Sequence, residues 1–454
     1  MPTRKVAIVG AGISGLAAAY DLQKSGEFEV TLFEQSNEVG GKIQTASEGE
    51  FLIERGPDSI FASKPWATDL MREIGMDADL MEPLCNEFSI LTKGKLHHVP
   101  RALASMIPSA SGALEKAAFL SAAVKKRALK ESDVRPGAGK DESIASFFRR
   151  RFGKTFSELV AEPLLAGTHA GDPEKLSMAA LYPTYLGMER EHGSITKSAE
   201  ARKAPAGKPG ARMGFCTLRS GMGSFPQRLL AACELVDVQL GVGVSALATS
   251  EDRIVVESSG GARVFDHVIS AVPGYAAADI LRGIAPDAAD ALRTLRYVST
   301  AVFTLAFPRG AFRHEPSGNG FLVPRRENSF IKGCTVSSNK WAERAPGDSV
   351  LIRAFVGQDG GVDVDALSDE DLREGVLKQL NALYGLKSDP IVARLDRWPK
   401  AMAQYELGHL DRLAAIERAL CGLPITLVGA SYRGNSIPDC VRQGREAAQR
   451  LLHG

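Results

Sequence analysis

Residues 5–34 of this chain have the sequence KVAIVGAGISGLAAAYDLQKSGEFEVTLFE, and they decide its fold. The pattern predicts a buried strand, a glycine-rich turn, a helix and a second strand, with Gly10, Gly12 and Gly15 in the G-x-G-x-x-G spacing. Gly10 permits the tight turn, Gly12 lets a pyrophosphate approach the backbone, and Gly15 lets the helix pack closely on the strand. We therefore expect a dinucleotide to bind with its pyrophosphate at the helix N-terminus, where unpaired N–H groups stabilise negative charge.

The acidic residue Glu34 closes the second strand nineteen residues after Gly15. In this position a carboxylate accepts hydrogen bonds from both ribose hydroxyls and repels a 2′-phosphate, which favours NAD or FAD over NADP. A secretory signal peptide is the alternative, because Arg4 and Lys5 precede an apolar, alanine-rich stretch. The fixed glycine spacing and the order of the elements favour the dinucleotide site, so we expect this N-terminus to be retained.

Length and composition limit the classes of function. A chain of 454 residues exceeds the roughly 250 to 300 residues at which a single core stops growing, so we expect two or more lobes. The 55 basic and 54 acidic side chains give a net charge of +1, which indicates no nucleic-acid partner. No apolar run approaches the roughly 18 residues that span a bilayer. The six cysteines are scattered without a ligand or disulfide pattern, so we expect no metal site and a reducing compartment.

The order of the predicted elements indicates a discontinuous architecture. Helical patterns dominate residues 82–196, including Ile107–Lys130 and Ser143–Glu162, and strand patterns dominate residues 235–272. Shorter patterns predict a hairpin turn at Gly260-Gly261, an amphipathic helix at residues 369–384, and loops at residues 134–141 and 197–214. The chain ends with PITLVGAS, a buried strand, followed by a helix with Pro438 in its first turn. We therefore expect a cofactor domain built from distant segments, with a second lobe inserted into it.

Further segments carry a resemblance to a known family. They are NEVGGKIQT at residues 37–45, ERGPDSIFASKPWATDLMREIGM at 54–76, AEPLLAGTHAGDPEKLSMAALYPTYLGMEREHGS at 161–194, WPKAMAQYELGHLDRL at 398–413 and LVGASYRGNSIPDCVRQGREAA at 427–448. With the first glycine motif, they resemble the porphyrinogen oxidases of haem biosynthesis, which belong to the flavin-containing amine oxidase-like superfamily. This group comprises protoporphyrinogen IX oxidase and the bacterial coproporphyrinogen III oxidase, and the similarity covers essentially the whole chain.

The resemblance implies an α/β fold in which a discontinuous Rossmann-like FAD-binding domain carries an inserted mixed-sheet substrate domain and a helical lobe. We expect the FAD-binding domain at residues 1–62, 216–275 and 395–454, the substrate domain at 63–81 and 276–394, and the helical lobe at 82–215. Non-covalent FAD is the implied cofactor. The expected cofactor-binding residues are Gly10, Gly12, Ile13, Ser14, Gly15, Glu34, Gly40, Gly41, Lys42, Gly56, Pro57, Asp58, Val244, Gly429, Ala430, Ile437, Pro438 and Asp439. In the family the helix near Pro438 would direct its N–H groups at the pyrimidine end of the flavin, where reduction places negative charge.

The implied activity is the six-electron oxidation of a porphyrinogen to a porphyrin, with molecular oxygen as acceptor and hydrogen peroxide as second product. No catalytic side chain is assigned, because the flavin performs the redox chemistry. The expected substrate-binding residues are Lys64, which aligns with a basic residue facing a propionate in relatives, and also His169 and Arg433. The preferred porphyrinogen is left open, with a slight preference for coproporphyrinogen III. An amine oxidase, a carotenoid desaturase and a non-enzymatic carrier of lipid or prenyl groups are the alternatives.

The stretch Ile107–Lys130 combines an apolar face with the basic cluster Lys125-Lys126-Arg127. In membrane-associated relatives a helical lobe in this region meets lipid, so peripheral docking at the inner face of the cell membrane is one alternative. Packing of this helix on its own domain is favoured, because the segment lacks Trp and has a single Phe. We expect a cytoplasmic protein that hands its porphyrin to a chelatase of the haem pathway, and we make no prediction of its oligomeric state.

Overall fold

The structure is a computed structural model that describes residues 3–100, 103, 111–137, 139–201 and 214–453. The strands are β1 Arg4–Val9, β2 Phe28–Glu34, β3 Thr45–Glu48, β4 Phe51–Glu54, β5 Ile60–Phe61, β6 Leu80–Met81, β7 Ser89–Thr92, β8 Lys95–His98, β9 Phe215–Leu218, β10 Asp237–Leu240, β11 Val244–Ser250, β12 Arg253–Ser258, β13 Gly261–Phe265, β14 His267–Ser270, β15 Tyr297–Pro308, β16 Gly320–Leu322, β17 Gly333–Val336, β18 Ser349–Val356, β19 Val392–Ala403 and β20 Ile425–Leu427.

The α-helices are α1 Ile13–Ser25, α2 Trp66–Glu73, α3 Ser111–Lys116, α4 Ala122–Ala128, α5 Ile144–Phe152, α6 Lys154–Phe156, α7 Glu162–His169, α8 Met178–Leu181, α9 Pro183–His192, α10 Ile195–Ala201, α11 Ser224–Ala231, α12 Gly274–Leu281, α13 Pro286–Arg293, α14 Ser337–Lys340, α15 Asp369–Tyr384, α16 His409–Ala419 and α17 Ile437–His453. A π-helical turn, Ser157–Ala161, joins α6 to α7. None of the helices in the described ranges is long and apolar enough to cross a bilayer.

A five-stranded parallel sheet in the order β10-β2-β1-β14-β20 forms the nucleotide-binding half. The central strand β1 is buried from Val6 to Val9, as its unbroken apolar run predicts for a parallel strand covered on both faces. Its neighbours β14 and β20 come from more than 250 residues further along the chain. The predicted α/β fold with a sheet assembled from distant segments is therefore confirmed.

Helices α1 and α17 pack against each other over this sheet. The contact is close because Gly444 faces the first turn of α1: a Cβ at Gly444 would lie 2.2 Å from the Ser14 carbonyl oxygen. At the other end of the same contact, Arg445 Nε donates to Asp21 Oδ2 at 2.9 Å. The last helix of the chain thus holds the first helix in place.

The inserted part contains a mixed seven-stranded sheet in the order β19-β15-β18-β17-β16-β7-β8. Its apolar face is covered by α15, which has the bounds that its apolar periodicity predicted, 369–384. Ser368 and Asp371 form a capping box at the start of this helix. Strands β7 and β8 come from the range predicted for the helical lobe, and β19 crosses the predicted boundary at residue 395. The exact domain boundaries remain a prediction.

The helical lobe has its own core, in which Phe147, Phe148, Phe152 and Phe156 are fully buried. Arg151, near the end of α5, is buried, and its guanidinium forms ion pairs with Glu131 and Glu189. The helical pattern predicted over Ser143–Glu162 is confirmed but is interrupted at Gly153, which has a φ of +91°, so α5 ends there and α6 begins at Lys154. The glycine's left-handed conformation explains this difference.

Three other local predictions differ from the structure. Ile107–Lys130 was expected to be one helix, but its described part forms α3 and α4, and residues 107–110 lie outside the described residues. The hairpin turn consists of residues 259–260, since Ser258 pairs with Gly261 in the ladder of β12 and β13. The loop predicted at 197–214 is wrong at its start, because α10 continues to Ala201. Residue 138 of the loop predicted at 134–141 and residues 202–213 lie outside the described residues.

Candidate functional site

The glycine-rich turn between β1 and α1 forms an open cradle. Gly10 has a φ of +103°, and a Cβ at Gly15 would lie 2.0 Å from the Gly10 carbonyl oxygen, so both positions require glycine. A Cβ at Gly12, in contrast, would meet no atom within 4 Å. Gly12 is also the N-cap of α1 and offers no side-chain oxygen to the N–H groups of Ile13, Ser14 and the residues that follow. An anion could therefore reach these N–H groups over Gly12.

The carboxylate of Glu34 lies at the edge of this cradle. Its Oε2 accepts from the Ala11 N–H at 2.9 Å and its Oε1 from the Ser36 N–H at 2.9 Å. The chain that leads into β11 runs beside it, because the Val242 N–H donates to the Glu34 carbonyl at 2.9 Å. Val244 follows two residues later at the start of β11. The predicted ribose and adenine contacts are thus brought to one end of the site.

A second glycine loop, Gly40-Gly41-Lys42, closes the other side of the cradle. Gly40 forms a bridge to Gly12, with its N–H donating to the Ala11 carbonyl at 2.8 Å. The ammonium group of Lys42 does not face solvent: it donates to the Ala401 carbonyl at 2.5 Å. Burial lowers the pKa of Lys42, and the nearby Cys440 opposes this effect. Lys42 therefore ties the loop to β19. Of the backbone groups of the two glycines, the Gly41 N–H is the one without a partner among the described residues.

The segment Gly56-Pro57-Asp58 packs directly on this loop. A Cβ at Gly56 would lie 2.0 Å from the Lys42 carbonyl oxygen, so only glycine fits. The carboxylate of Asp58 is surrounded by cations: Lys340 Nζ lies at 2.8 Å and Arg353 Nη1 at 3.7 Å from Oδ2. Burial would raise the pKa of Asp58, but these two cations outweigh it and hold the pKa well below its usual range. Asp58 thus joins the glycine loops to the seven-stranded sheet.

The C-terminal motif forms a loop between β20 and α17. Gly429 has a φ of +121°, and its N–H donates to Gln443 Oε1 at 3.4 Å. The Ala430 carbonyl accepts from the Tyr405 hydroxyl at 3.0 Å. Side chains of the segment after β19 and of α17 therefore hold this loop in one shape.

Helix α17 begins at Ile437, and most of the N–H groups of its first turn already have partners. Pro438 has no N–H, the Asp439 N–H donates to Ser436 Oγ at 3.3 Å, and the Cys440 N–H donates to the Ser436 carbonyl at 2.9 Å. At the N-terminus of α17, the helix dipole and the Ile437 N–H remain to stabilise a negative charge.

The two ends of the chain meet at this point. The Ser14 hydroxyl hydrogen-bonds the Cys440 thiol, and a Cβ at Gly429 would lie 3.9 Å from Ser14 Oγ. Residues 10–15 and 429–440 therefore lie side by side, as the sequence predicted.

His169 ends α7 and is buried next to this loop. Its Nδ1 accepts from Asn435 Nδ2 at 2.9 Å, and its Nε2 lies 3.0 Å from the Tyr182 hydroxyl. Burial lowers the pKa of His169 to about 4, and the positive charge of Lys64 adds to this effect. The imidazole is therefore neutral at pH 7, so it offers hydrogen bonds rather than a positive charge.

Lys64 and Arg433 have different surroundings. Lys64 Nζ lies 2.6 Å from Asp439 Oδ2, at the start of α17 and within the electrostatic range of His169. The Arg433 guanidinium instead pairs with Glu417 on the exposed side of α16, at 2.5 Å. Only the backbone of Arg433 faces the loop, through its N–H bond to Gln443. The structure therefore brings Lys64 close to His169, whereas the guanidinium of Arg433 points away from the candidate site.

Several residues of the site were not predicted from the sequence: Asn435, Tyr182, Tyr405 and Gln443. Tyr405 bridges the loop by accepting from the Gly434 N–H at 3.1 Å, and Gln443 donates to the Gly434 carbonyl at 3.0 Å. Single polar residues of this kind have no distinctive spacing, so no sequence pattern could have found them. No group of His, Cys, Asp and Glu within the described ranges has a metal-binding arrangement.

Two buried histidines, His169 and His409, and the partly buried His267 predict a loss of stability in acid. Burial lowers the pKa of His169, His267 and His409 to about 4. Unfolded histidine has a pKa near about 6.5, so the unfolded state binds protons first as the pH falls. The free energy of unfolding is therefore fully retained above about pH 6.5, and between that pH and 4 it falls by up to about 3 kcal/mol for each fully buried imidazole.

Urea denaturation at pH 7.5, 6.0 and 5.0 measures this loss. His409 Nε2 lies 2.9 Å from the Tyr432 carbonyl, a bond that a glutamine amide could replace, so His409→Gln should reduce the pH dependence. The exposed His314 provides the control, and His314→Gln should leave the dependence unchanged. Equal pH dependence in His409→Gln and the parent protein would contradict the prediction.

Comparison with known proteins agrees with this geometry. The chain belongs to the flavin containing amine oxidoreductase family, whose model matches residues 13–452. The protein is therefore a flavin-containing oxidoreductase, and its cofactor is a flavin.

Individual relatives match over the full length. The coproporphyrinogen III oxidase of Bacillus subtilis strain 168 is 32% identical over 99% of this chain and 98% of its own. The enzyme of the same name from Staphylococcus aureus strain NCTC 8325 is also 32% identical, with 99% of both chains covered. A crystal structure assigned as a protoporphyrinogen oxidase from Exiguobacterium sp. 255-15 superposes with a TM-score of 0.87 at 30% identity, and all of both chains is covered.

Proposed function

We propose that this chain is an FAD-dependent, oxygen-using porphyrinogen oxidase of haem biosynthesis, acting on coproporphyrinogen III or protoporphyrinogen IX. The observation that carries the proposal is the full-length similarity to enzymes named coproporphyrinogen III oxidase. The meeting of the Gly12 cradle with the loop at Gly429 supports it, since one extended cofactor would contact both. Another activity of the same family, such as amine oxidation or carotenoid desaturation, is the alternative.

We assign the two ends of the cofactor to the two ends of the site. The pyrophosphate would bind at Gly12, Ile13, Ser14 and the Gly40-Gly41 backbone, and the ribose at Glu34. The flavin ring would lie along residues 429–430 and the start of α17, whose dipole stabilises the negative charge of the reduced ring. The segment Gly56-Pro57-Asp58 would shape the wall of the cofactor cavity. Its carboxylate, Asp58, would not bind the cofactor through its charge, because Lys340 and Arg353 already neutralise it.

The FAD is proposed to be held without a covalent bond. The thiol nearest to the cradle, Cys440, is a poor nucleophile because burial raises its pKa to about 11. Both ring nitrogens of His169 already have partners. Precipitation of the purified protein with acid should release all of the flavin into the supernatant, and flavin that stays with the pellet would contradict this assignment.

The bound flavin supplies the oxidising power, and the protein supplies position and electrostatics. Overall, one porphyrinogen loses six hydrogens while three molecules of oxygen are reduced to three of hydrogen peroxide. We assign to Lys64 the attraction of a propionate. The neutral His169 would keep the Asn435 loop in position through a hydrogen bond of 2.9 Å.

Activity on reduced tetrapyrroles tests the proposal directly. Purified protein should carry the visible absorption of a flavin. In air it should convert coproporphyrinogen III or protoporphyrinogen IX into a fluorescent porphyrin, with three molecules of hydrogen peroxide formed for each porphyrin. Exclusion of oxygen should stop turnover. Failure to form porphyrin from either compound, together with consumption of an amine or a polyene, would move the protein to the alternative activity.

Loss of the Lys64 charge is expected to weaken substrate binding. Lys64→Ala should raise KM by an amount equivalent to about 1 to 3 kcal/mol, the usual value of a hydrogen bond to a charged group, with flavin content unchanged. Lys24, which pairs with Glu73 on the surface at 3.5 Å, gives the control variant Lys24→Ala.

An unchanged KM in Lys64→Ala would remove this residue from the substrate site. A second possibility is that Lys64 serves only to neutralise Asp439, from which it lies 2.6 Å away. In that case Lys64→Ala would have no further effect in an Asp439→Asn background, because a double-mutant cycle isolates the coupling between the two residues.

Location and partners complete the proposal. We propose a cytoplasmic protein whose porphyrin passes to a chelatase. The burial of Leu114, Ala117 and Leu120 supports packing of α3 and its neighbours on their own lobe rather than docking on lipid. Two members of the basic cluster also have partners there, since Lys125 donates to the Glu115 carbonyl and Arg127 to the Arg150 carbonyl. Vesicles of anionic lipid should therefore leave the protein in solution in a flotation assay, and comigration would favour peripheral docking.

A further inference from the structure

Lys332 lies at a bend just before β17, in the seven-stranded sheet. Its N–H donates to the Phe355 carbonyl at 2.9 Å, and its own carbonyl accepts from the Val323 N–H at 2.8 Å. Neighbouring strands on both sides therefore fix its backbone. The partly buried side chain extends from a rigid part of the fold rather than from a free loop.

The ammonium group of Lys332 has no anionic partner in the part of the chain that the structure describes. No carboxylate there forms an ion pair with it, and no acceptor receives a hydrogen bond from its Nζ. Lys340 and Lys64, by contrast, each lie within 2.8 Å of a carboxylate oxygen. An ammonium group removed from water without a counter-ion is costly, so this charge does not stabilise the protein by itself.

A chain of hydrogen bonds and electrostatic interactions connects Lys332 to the region of His169. The carbonyl of Ala170, the next residue, accepts from the Asp359 N–H at 2.8 Å, and the Asp359 carbonyl accepts from Arg325 Nη1 at 2.8 Å. Arg325 in turn acts electrostatically on Lys332, and Lys332 acts on His169. Lys332 and Lys64 are therefore two cations within electrostatic range of one neutral imidazole.

Only one of these two cations is neutralised by the protein. Asp439 compensates Lys64, whereas Arg325 adds further positive charge near Lys332. Lys332 therefore brings to the vicinity of His169 a positive charge that no described carboxylate pairs, and an anionic ligand would pair it.

We propose that Lys332 is a second carboxylate-binding residue of the substrate site, and that it makes the site selective for tetrapyrroles with more ring-edge carboxylates. The inference rests on the proposed function, because it assigns to the substrate the carboxylate that the protein does not supply. One carboxylate would bind at Lys64 and another at Lys332. A tetracarboxylate ligand then has more ways to engage both cations than a dicarboxylate ligand.

The protonation behaviour of Lys332 is consistent with this role. Burial and the charge of Arg325 lower its pKa to about 7 in the free protein. Among the described residues, Arg325 and His169 are the groups that interact with it electrostatically. A bound carboxylate would favour the charged form, so binding should take up a proton near neutral pH.

Binding of a non-reacting ligand gives the first test. Coproporphyrin III, with four carboxylates, and its tetramethyl ester, with none, can be titrated against the flavin-loaded protein by fluorescence. Lys332→Met should weaken the binding of the acid by about tenfold or more, as expected for a lost charge-assisted contact, and should leave the ester unaffected. Lys332→Arg should restore most of the affinity, and the exposed Lys387→Met is the control.

Kinetics give the second test. For Lys332→Met, KM should rise more for coproporphyrinogen III than for protoporphyrinogen IX, with little change in kcat. In the parent protein, kcat/KM for coproporphyrinogen III should fall as the pH rises above 7, and this fall should be absent in Lys332→Arg, because arginine stays charged.

The outcomes separate the two proposals. A parent protein that oxidises neither porphyrinogen would overturn the proposed function. A parent protein that is active, with Lys332→Met unchanged for all ligands, would overturn the role of Lys332 alone. Equal weakening of acid and ester binding, without rescue by arginine, would also overturn it, because such a pattern indicates altered packing rather than a lost charge.

Discussion

Gly12→Ala is expected to weaken flavin binding while leaving the fold intact. Gly12 has a φ of −70° and a ψ of 173°, which any residue adopts, and an added Cβ would meet no protein atom within 4 Å. The methyl group would instead occupy the space through which the pyrophosphate approaches the first turn of α1. Flavin affinity should fall by about 1 to 3 kcal/mol, the usual cost of an extra methyl group in a close contact.

Flavin titration of the apoprotein and urea denaturation of the same sample measure the two effects separately. Gly444→Ala is the contrasting variant, because its Cβ would lie 2.2 Å from the Ser14 carbonyl oxygen and would push α17 from α1. It should lower the stability of the apoprotein, unlike Gly12→Ala. Full flavin affinity in Gly12→Ala would show that no phosphate approaches this glycine.

Asp58→Asn should destabilise the protein by about 3 to 5 kcal/mol, the usual cost of breaking a buried ion pair by removing one partner. The change preserves shape but leaves two cations, the buried Arg353 and the largely buried Lys340, without their carboxylate. Because the pKa of Asp58 is strongly lowered, the charged form is present throughout the neutral range.

The free energy of unfolding in urea, followed by far-ultraviolet circular dichroism, measures this effect. Asp237→Asn is the matched control: Asp237 pairs with Arg263 at 2.8 Å, but both side chains are 45% exposed, so at most about 1 kcal/mol should be lost. The double variant Asp58→Asn with Lys340→Met should recover part of the loss. If Asp58→Asn instead lost its flavin with unchanged stability, Asp58 would be a direct cofactor contact.

The parts of the fold that the sequence predicted depend on local information. The glycine spacing placed the turn between β1 and α1, and apolar periodicity placed α15 at 369–384. The final helix was expected over residues 437–452 with Pro438 in its first turn, and α17 is Ile437–His453. In each case a few neighbouring residues determine the conformation, so their pattern is sufficient.

The strand partners could not be predicted in this way. Strands β7 and β8 lie in a stretch of mostly helical pattern, yet β7 pairs with β16, more than 200 residues later. The alternation within a short strand indicates one buried face but does not identify the strand beside it. The break between α3 and α4 likewise depends on how residues 117–120 pack into the helical lobe.

The candidate site shows the same division. Glycines 12, 40 and 429 were predicted from their motifs, and the structure brings all three to one cleft. The partners of the polar side chains were not predicted: His169 meets Asn435, 266 positions away, and Asp58 meets Lys340, 282 positions away. No sequence motif marks Lys332, because the absence of a counter-ion depends on which residues surround it in the folded protein.

The parallel sheet also constrains how this protein is made. Strand β1 is synthesised first, but its order in the sheet requires β14 and β20, and α1 is covered by the last helix. During translation the apolar surfaces of β1 and α1 therefore remain exposed until nearly the entire chain has emerged from the ribosome. We expect slow, chaperone-assisted maturation, and we expect truncations near residue 440 to impair folding as a whole rather than activity alone.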